Sequence, residues 1–401
     1  VVQDASADMN PIAPRDAPIH VQTSSWGGIW VIGLLAMAES YLLSCYLGLV
    51  NQRNPSAEQP PQVTEAWYIL CQSYELAQKP IRRSLYGQPL VLFRDSAGKP
   101  AVFLDRCPHR DVPLSMGSVQ GDHLVCAYHG WEFDTTGHCK RVPAYIGDPD
   151  SSGRCAQAYP VLEEQGFVWV YGTPGEMPQS RPFQFRHIND PNYLCVRYEV
   201  RVGASVHQVA ENALDVPHTA FLHGGLFRTD SDRNQIQAVV KRWHDKVECE
   251  YVGEPRPSGL VGRILSPSGG IVTHYDRFYL PSVVEVEYRI GDENHIVVNG
   301  VCTPADDYDT RLYSVTCVRT RIPGFLVRPA VQPIALWIFG QDRAILEAQT
   351  ESMRSFGGHA YASTDVDTVG PHIMRLMRRA ARGELGDPEA EPWTKELPMM
   401  V

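Results

Sequence analysis

Between Cys107 and His129 the chain reads CPHRDVPLSMGSVQGDHLVCAYH: a Cys-x-His pair, a loop of sixteen residues, and a Cys-x-x-His pair. Two thiols and two imidazoles therefore arrive from two neighbouring turns, a donor set sufficient to hold metal with four side chains. Further on, ENALDVPHTAFLH (211–223) offers Asp215, His218 and His223, and WIFGQDRAILEAQ offers Asp342.

The first group discriminates between metals. A structural zinc site usually pairs cysteines on one knuckle with cysteines or histidines on the other, whereas here each knuckle carries one sulfur and one imidazole. Mixed pairs suit two metals. In a Rieske [2Fe–2S] centre two cysteines hold one iron and two histidines the other, so each loop must bring one ligand of each kind. Cys107, His109, Cys126 and His129 are the expected cluster ligands, with zinc on the same four side chains as the competing reading. Gly130 and Trp131 follow the last of them, and glycine lets the backbone approach a cluster closely. Arg110 and Tyr128 stand where the high-potential respiratory version of the motif has a second cysteine pair.

In the second group His218 and His223 are five apart, a poor spacing for two imidazoles on one straight helix. Pro217 removes that objection, because it breaks or kinks a helix beside His218. Two histidines with a carboxylate and open positions make the facial triad of non-haem iron(II) that works with O2 as co-substrate. Asp342, read as lying where a last strand (334–340) meets a following helix (343–356), is the expected carboxylate, with Glu347 in reserve. The bland alternative is two satisfied structural histidines.

These residues need two scaffolds. At 401 residues, 43% hydrophobic and 20% charged, the chain is long enough for two cores. Its net charge of -10 argues against nucleic acid as a partner. The expected class is α+β: a small antiparallel β domain over 63–180 carrying the cluster loops, and a larger catalytic domain over 181–401. The larger domain is read as a helix-grip, with an antiparallel sheet (193–202, 236–252, 274–290, 295–303, 312–320, 334–340) flanked by helices at 205–223, 343–356 and 366–382. Arg375, Arg378, Arg379 and Arg382 form the solvated side of the last helix. Residues 1–62 comprise a polar tail, an apolar stretch at 26–50 with one charge, Glu39, and a Pro-rich linker. The apolar stretch is long enough to span a bilayer, yet its central charge and Gly27-Gly28 suit a packed helix equally; both readings stand. It lacks the basic start of a cleaved signal. Cys71, Cys195, Cys249, Cys302 and Cys317 are read as buried free thiols of a reducing, cytoplasmic compartment, and a bridge between Cys139 and Cys155 is left open.

From Trp67 onward the chain resembles the α (oxygenase) subunit of Rieske non-haem iron oxygenases, in its single-chain, monooxygenase-type form. The likeness rests on CPH and CAYH followed by Gly130-Trp131, on Asn212, Asp215, His218 and His223 in N-x-x-D-x-x-H-x-x-x-x-H, and on Gln341-Asp342 followed by E-A-Q. The resemblance implies Cys107, His109, Cys126 and His129 on the cluster and His218, His223 and Asp342 on a mononuclear Fe(II). It implies Asp215 as the carboxylate that bridges to a cluster histidine of a neighbouring subunit, hence a head-to-tail homotrimer. The substrate would be an apolar small molecule that is hydroxylated, demethylated, desaturated or cyclised, with Phe221, Phe278, Tyr279, Trp337 and Phe339 as candidate pocket walls. The chain has no G-x-G-x-x-G after a strand, so a separate NAD(P)H-dependent reductase, with or without a ferredoxin, is expected. Membrane contact would run through 26–50. Two rival functions remain at this stage: an electron carrier in which only the cluster works, and a zinc- and ligand-binding structural protein.

Overall fold

The computed structural model describes residues 59–224, 234–255, 272–291 and 294–401. The N-terminal tail, the apolar stretch at 26–50 and most of the Pro-rich linker lie outside the described residues. No helix among the described residues is long and apolar enough to cross a membrane.

Three small antiparallel sheets form first. Strands Trp67–Gln72, Phe167–Tyr171 and Val161–Glu164 make one, and Ile81–Leu85, Gln88–Arg94, Pro100–Leu104 and Ala158–Tyr159 make the second. The third, Ser118–Gln120, His123–Val125, Glu132–Phe133 and Cys139–Arg141, is built from strands of two or three residues. Leu90 to Phe93 are all fully buried because this strand lies between two cores: Val91 and Phe93 face the cluster loops, Leu90 and Leu92 the opposite side. Tyr86 and Gly87 both take positive φ, 51° and 74°, which gives the two-residue turn whose twist suits a hairpin.

The larger sheet has strands β1 (Leu194–Val202), β2 (Gln235–Arg242), β3 (Lys246–Val252), β4 (Val272–Tyr279), β5 (Val283–Ile290), β6 (Asn294–Asp306), β7 (Asp309–Arg319) and β8 (Trp393–Met400), antiparallel in the order β1-β7-β6-β5-β4-β3-β2-β8. Two faces, two partners. On one face Val283, Val301, Tyr313 and Val315 pack against Trp67, Ile69, Phe167 and Trp169 of the first small sheet. Tyr313 OH and Thr303 Oγ1 donate across this seam to the carbonyls of Leu70 and Ile69, each at 2.7 Å. On the other face lie helices α1 (Val206–Ala213), α2 (Gly324–Ser355) and α3 (Gly370–Ala381). Ile373, Leu376 and Met377 of α3 recur at helical spacing and are buried against Val240, Val247 and their neighbours, each contributing about 1.5–3 kcal/mol. Arg375 and Arg382 are exposed as expected, while Arg378 and Arg379 are half-buried.

Three expectations need correction. Residues 334–340 form no strand: they continue α2, which runs through Pro329 and Pro333. A short apolar run such as IALWIFG lacks period-two alternation and reads equally as strand or helix; the helix formers that follow it decide the matter. Cys195 and Cys317 are not free thiols but a disulfide, since they stand directly opposite each other on β1 and β7. The break expected at Pro217 in the 205–223 helix comes earlier, the helix ending at Ala213 and the chain resuming as a 3-10 turn at Pro217–Ala220. Cys71, Cys249 and Cys302 are buried and unbridged, and Cys139 and Cys155 are likewise unbridged. A C-terminal strand, β8, was not foreseen.

Candidate metal centres

The two cluster loops repeat one construction. The Cys107 carbonyl accepts from the Asp111 N–H at 3.0 Å, and the Cys126 carbonyl accepts from the Gly130 N–H at 3.1 Å. Each turn closes on a residue of positive φ, Asp111 at 61° and Gly130 at 67°. The first loop is anchored by Asp105, 4% exposed, which accepts from Ser115 N and Oγ at 2.7 Å each and faces Arg82 at 3.2 Å. The paired turns bring the thiols together inside and the imidazoles together outside. Cys107 and Cys126 are buried, and the His109 and His129 rings lie 4.6 Å apart nearer the surface. Trp131 stacks on His109 at 4.6 Å and 8°, and Tyr128, itself exposed, tilts over His129 at 3.8 Å. Burial pushes the Cys107 thiol up to about 12, with the adjoining Cys126 adding to the rise and the His109 and Arg110 amides opposing it. Two such sulfurs become thiolates when a metal supplies positive charge between them, so the donor set fits an iron–sulfur cluster.

The second centre depends on where the chain breaks. Ser205 caps α1, its Oγ accepting from Gln208 N at 3.4 Å. Pro217 then opens the 3-10 turn that carries His218. The break swings His218 and His223 to a ring separation of 5.2 Å, and Asp342, well inside α2, reaches between them. The three ligand atoms lie within 4.8 Å of one another. Glu347 points elsewhere, at Arg343 and the Gly203 amide, both 3.3 Å away.

Both rings are oriented from behind. His218 Nδ1 lies 3.2 Å from Asp215 Oδ2, and His223 Nδ1 lies 2.8 Å from Gln341 Oε1. These contacts turn the Nε2 edges of both rings toward Asp342. Asp342 Oδ1 is 3.0 Å from His223 Nε2 and 3.7 Å from His218 Nε2, and it is a buried oxygen that accepts no hydrogen bond. Three ligand atoms gathered about one point fit a divalent iron. Burial opposes a charge on His223, yet the Asp342 and Gln341 oxygens outweigh it and hold its pKa above the ordinary value.

Of the candidate pocket walls, Phe278 is fully buried core, Tyr279 packs toward the small sheet, and Phe221 and Trp337 are exposed. Phe339, three residues before Asp342 on α2, lies against Tyr198 at 5.7 Å. Two polar features escaped sequence reasoning. Gln341 is one, although its place beside Asp342 was visible. The other is His274, buried with Nδ1 2.6 Å from Glu254, Nε2 3.0 Å from Asp276 and Tyr288 stacked at 4.0 Å.

A Cys₂His₂ set on paired loops and a two-histidine, one-carboxylate set on α2 and around the 3-10 turn are the donors that a [2Fe–2S] cluster and a mononuclear iron require. Residues 66–148 match the Rieske [2Fe-2S] domain, and residues 202–383 match the vanillate O-demethylase oxygenase C-terminal domain. The vanillate O-demethylase oxygenase subunit of Pseudomonas sp. (strain HR199 / DSM 7063) is 30% identical over 353 residues, covering 80% of this chain and 96% of that one. The oxygenase component of dicamba O-demethylase from Stenotrophomonas maltophilia is 33% identical over 182 residues, 44% of this chain and about half of that one, 53%. A crystal structure of dicamba monooxygenase bound to 3,6-dichlorosalicylic acid superposes with a TM-score of 0.69 at 23% identity, covering 81% of this chain and 99% of the other. The chain belongs to the Rieske oxygenase α subunits. It is an oxidoreductase, the oxygenase component that works with a [2Fe–2S] cluster and a mononuclear iron, and not a stand-alone electron carrier or a zinc protein.

Proposed function

We propose that Cys107, His109, Cys126 and His129 hold the Rieske cluster, that His218, His223 and Asp342 hold the Fe(II), and that Asp215 links the two centres between subunits of a homotrimer. The observation that carries this reading is the buried Asp342 oxygen set 3.0 and 3.7 Å from the Nε2 atoms of His223 and His218. When bound, the cluster supplies single electrons and the iron supplies a site for O2 reduction. The protein's own residues do the positioning. Asp215 and Gln341 fix the tautomers of His218 and His223. Asp215, a third exposed, keeps its carboxylate open to a further donor, as a bridge to a cluster imidazole of a second subunit requires. Phe339 and Leu346, three before and four after Asp342 on α2, share its face of the helix, which suits an apolar small molecule. The relatives named above act on vanillate and dicamba by O-demethylation; O-demethylation or hydroxylation of a comparable ring compound is the reaction assigned to this chain. Electrons come from a separate NAD(P)H-dependent reductase, directly or through a ferredoxin. Residues 63–180 form the cluster domain and 181–401 the catalytic domain in this reading, and 26–50 supplies any membrane contact.

The test is iron, zinc and acid-labile sulfide per chain on protein purified without oxygen. About three irons with two sulfides is the expected result. About two irons that added Fe(II) does not raise would remove the mononuclear site, and zinc without sulfide would remove both.

A further inference from the structure

Three side chains that neither proposed iron centre uses meet beyond the second cluster loop. His138 Nδ1 lies 3.0 Å from Asp150 Oδ1 and 3.9 Å from Cys155 Sγ, and the three ligand atoms all lie within 4.8 Å of one another. The backbone brings them together. Gly137, at φ 89°, stands so near Ala156 that a Cβ there would meet the Ala156 carbonyl oxygen at 2.2 Å, and the Ala156 N–H donates to the Gly137 carbonyl at 2.8 Å. Only glycine permits that approach, and it sets His138 beside Cys155.

Each donor is held by its own segment. Asp134 Oδ1 accepts from His138 N at 3.1 Å and from Thr136 N at 2.9 Å, which fixes the turn that presents the imidazole. Asp148 Oδ1 accepts from Asp150 N at 2.9 Å. Arg154 donates to the carbonyls of Asp148 and Pro149 at 2.9 and 3.2 Å and lies over the Tyr145 ring at 4.9 Å, so its cation is engaged by these groups. Cys155 Sγ lies 3.4 Å from the Ser151 carbonyl, a hydrogen bond that a thiol makes and a thiolate gives up. His138 and Asp150 are exposed, so a cation reaches the site from solvent.

We propose that His138 Nδ1, Asp150 Oδ1 and Cys155 Sγ form a third metal site, for zinc, which clips the loop after Arg141 to the turn before Cys139. A thiolate disfavours the hard cations calcium and magnesium, whereas zinc takes sulfur, imidazole and carboxylate together. A thiolate and a carboxylate balance its two charges, and the imidazole binds neutral. Zinc bond lengths set such donors about 3.3–3.7 Å apart in a tetrahedron, so the gaps found here close on the ion by a few tenths of an ångström. Three protein ligands leave the fourth position to water. The clipped loop joins the third small sheet to Ala158–Tyr159 of the second and contains no strand, so it gains most from a bond across it.

The experiment uses the full chain, loaded with cluster and Fe(II), as wild type, Cys155→Ser and Asp150→Asn. Zinc is titrated against a competing chelator, its neighbours are read by X-ray absorption at the zinc edge, and hydrogen exchange is followed over 142–157. Wild type is expected to take up about one zinc with one sulfur neighbour at about 2.3 Å and the rest nitrogen and oxygen, with iron and acid-labile sulfide unchanged and exchange over the loop slowed. Cys155→Ser loses the sulfur neighbour and binds zinc on the order of 100-fold more weakly, at least the cost of losing an outer partner of a ligand. Asp150→Asn binds more weakly with the sulfur kept. Zinc with nitrogen and oxygen neighbours alone, as on His218, His223 and Asp342, overturns the proposal. So does a sulfur neighbour that survives Cys155→Ser, as on Cys107 and Cys126 with loss of sulfide, or a wild type that takes up no zinc. Zinc bound as expected with loop exchange unchanged overturns the clip.

Discussion

Gln341 offers the sharpest perturbation of the iron site, because it touches no metal in the proposed arrangement and acts through one contact. Its Oε1 sits 2.8 Å from His223 Nδ1, and His223 is 2% exposed, so no solvent molecule replaces a lost acceptor at low cost. Gln341→Leu removes the acceptor and keeps the approximate volume. The ring then either leaves a buried N–H unsatisfied, at about 1–3 kcal/mol, or moves the proton to Nε2, where it blocks the proposed metal position. Either route weakens Fe(II) binding by about 10–100-fold. Gln341→Glu, which retains an acceptor at the same reach, should bind Fe(II) close to the wild-type level. The assay is anaerobic Fe(II) titration against a competing chelator, with the visible spectrum of the cluster as a check that the other centre is intact. Affinity within about twofold of wild type in Gln341→Leu, where about 10–100-fold is expected, would refute the argument that this contact sets the tautomer.

Three further outcomes follow from the same geometry. Asp215→Ala should keep iron and sulfide content yet slow electron delivery to the mononuclear site by about 10–100-fold, read by single-turnover reoxidation of the cluster; ordinary turnover rejects the bridging role. Fe(II) should be released as pH falls through the raised pKa of His223, since the ring must lose a proton before it can bind metal, and iron retention that is flat on acidification contradicts this. His274 is predicted to contribute stability that fades on the alkaline side. Burial lowers its pKa, but Asp276 and Glu254 more than reverse this and raise it to about 9; the contribution is complete below the unfolded value of about 6.5 and is lost as pH rises through the folded value. His274→Gln strands two buried carboxylates, at about 3–5 kcal/mol, and a denaturant midpoint unchanged at neutral pH would count against it.

How much of this was readable in the chain varies with range. The paired turns over 107–130 were legible because spacing within one short segment dictates which donors meet, and Gly130 marked a place of close backbone approach, which the structure meets with a positive φ. The meeting of His218 and His223 was legible for a related reason: Pro217 is a local signal with a local consequence. Asp342 was identified, but its setting was misread, since nothing in IALWIFG distinguishes a strand from the middle of a helix. Gln341 depends on a contact with His223, 118 residues away in the chain, and His274 on a burial that no local pattern announces, between Asp276 two residues on and Glu254 20 residues back. The Cys195–Cys317 bridge is of this kind too, because only the pairing of β1 with β7 sets the two thiols opposite each other.

The strand order of the larger sheet carries a consequence for biosynthesis. Strands β2 to β7 pair with their neighbours in sequence and can zip up as hairpins while the chain is being made, but β1 pairs only with β7, Leu194 opposite Val318. A ribosome must therefore deliver well over a hundred residues before the segment just upstream of α1 finds its place, and contacts of such long separation form slowly. The histidine-bearing turn waits with it. The proposed second centre is then complete only after sheet closure, and cells that overproduce this chain faster than β1 can dock should accumulate a form with the small sheets folded and His218, His223 and Asp342 not yet assembled.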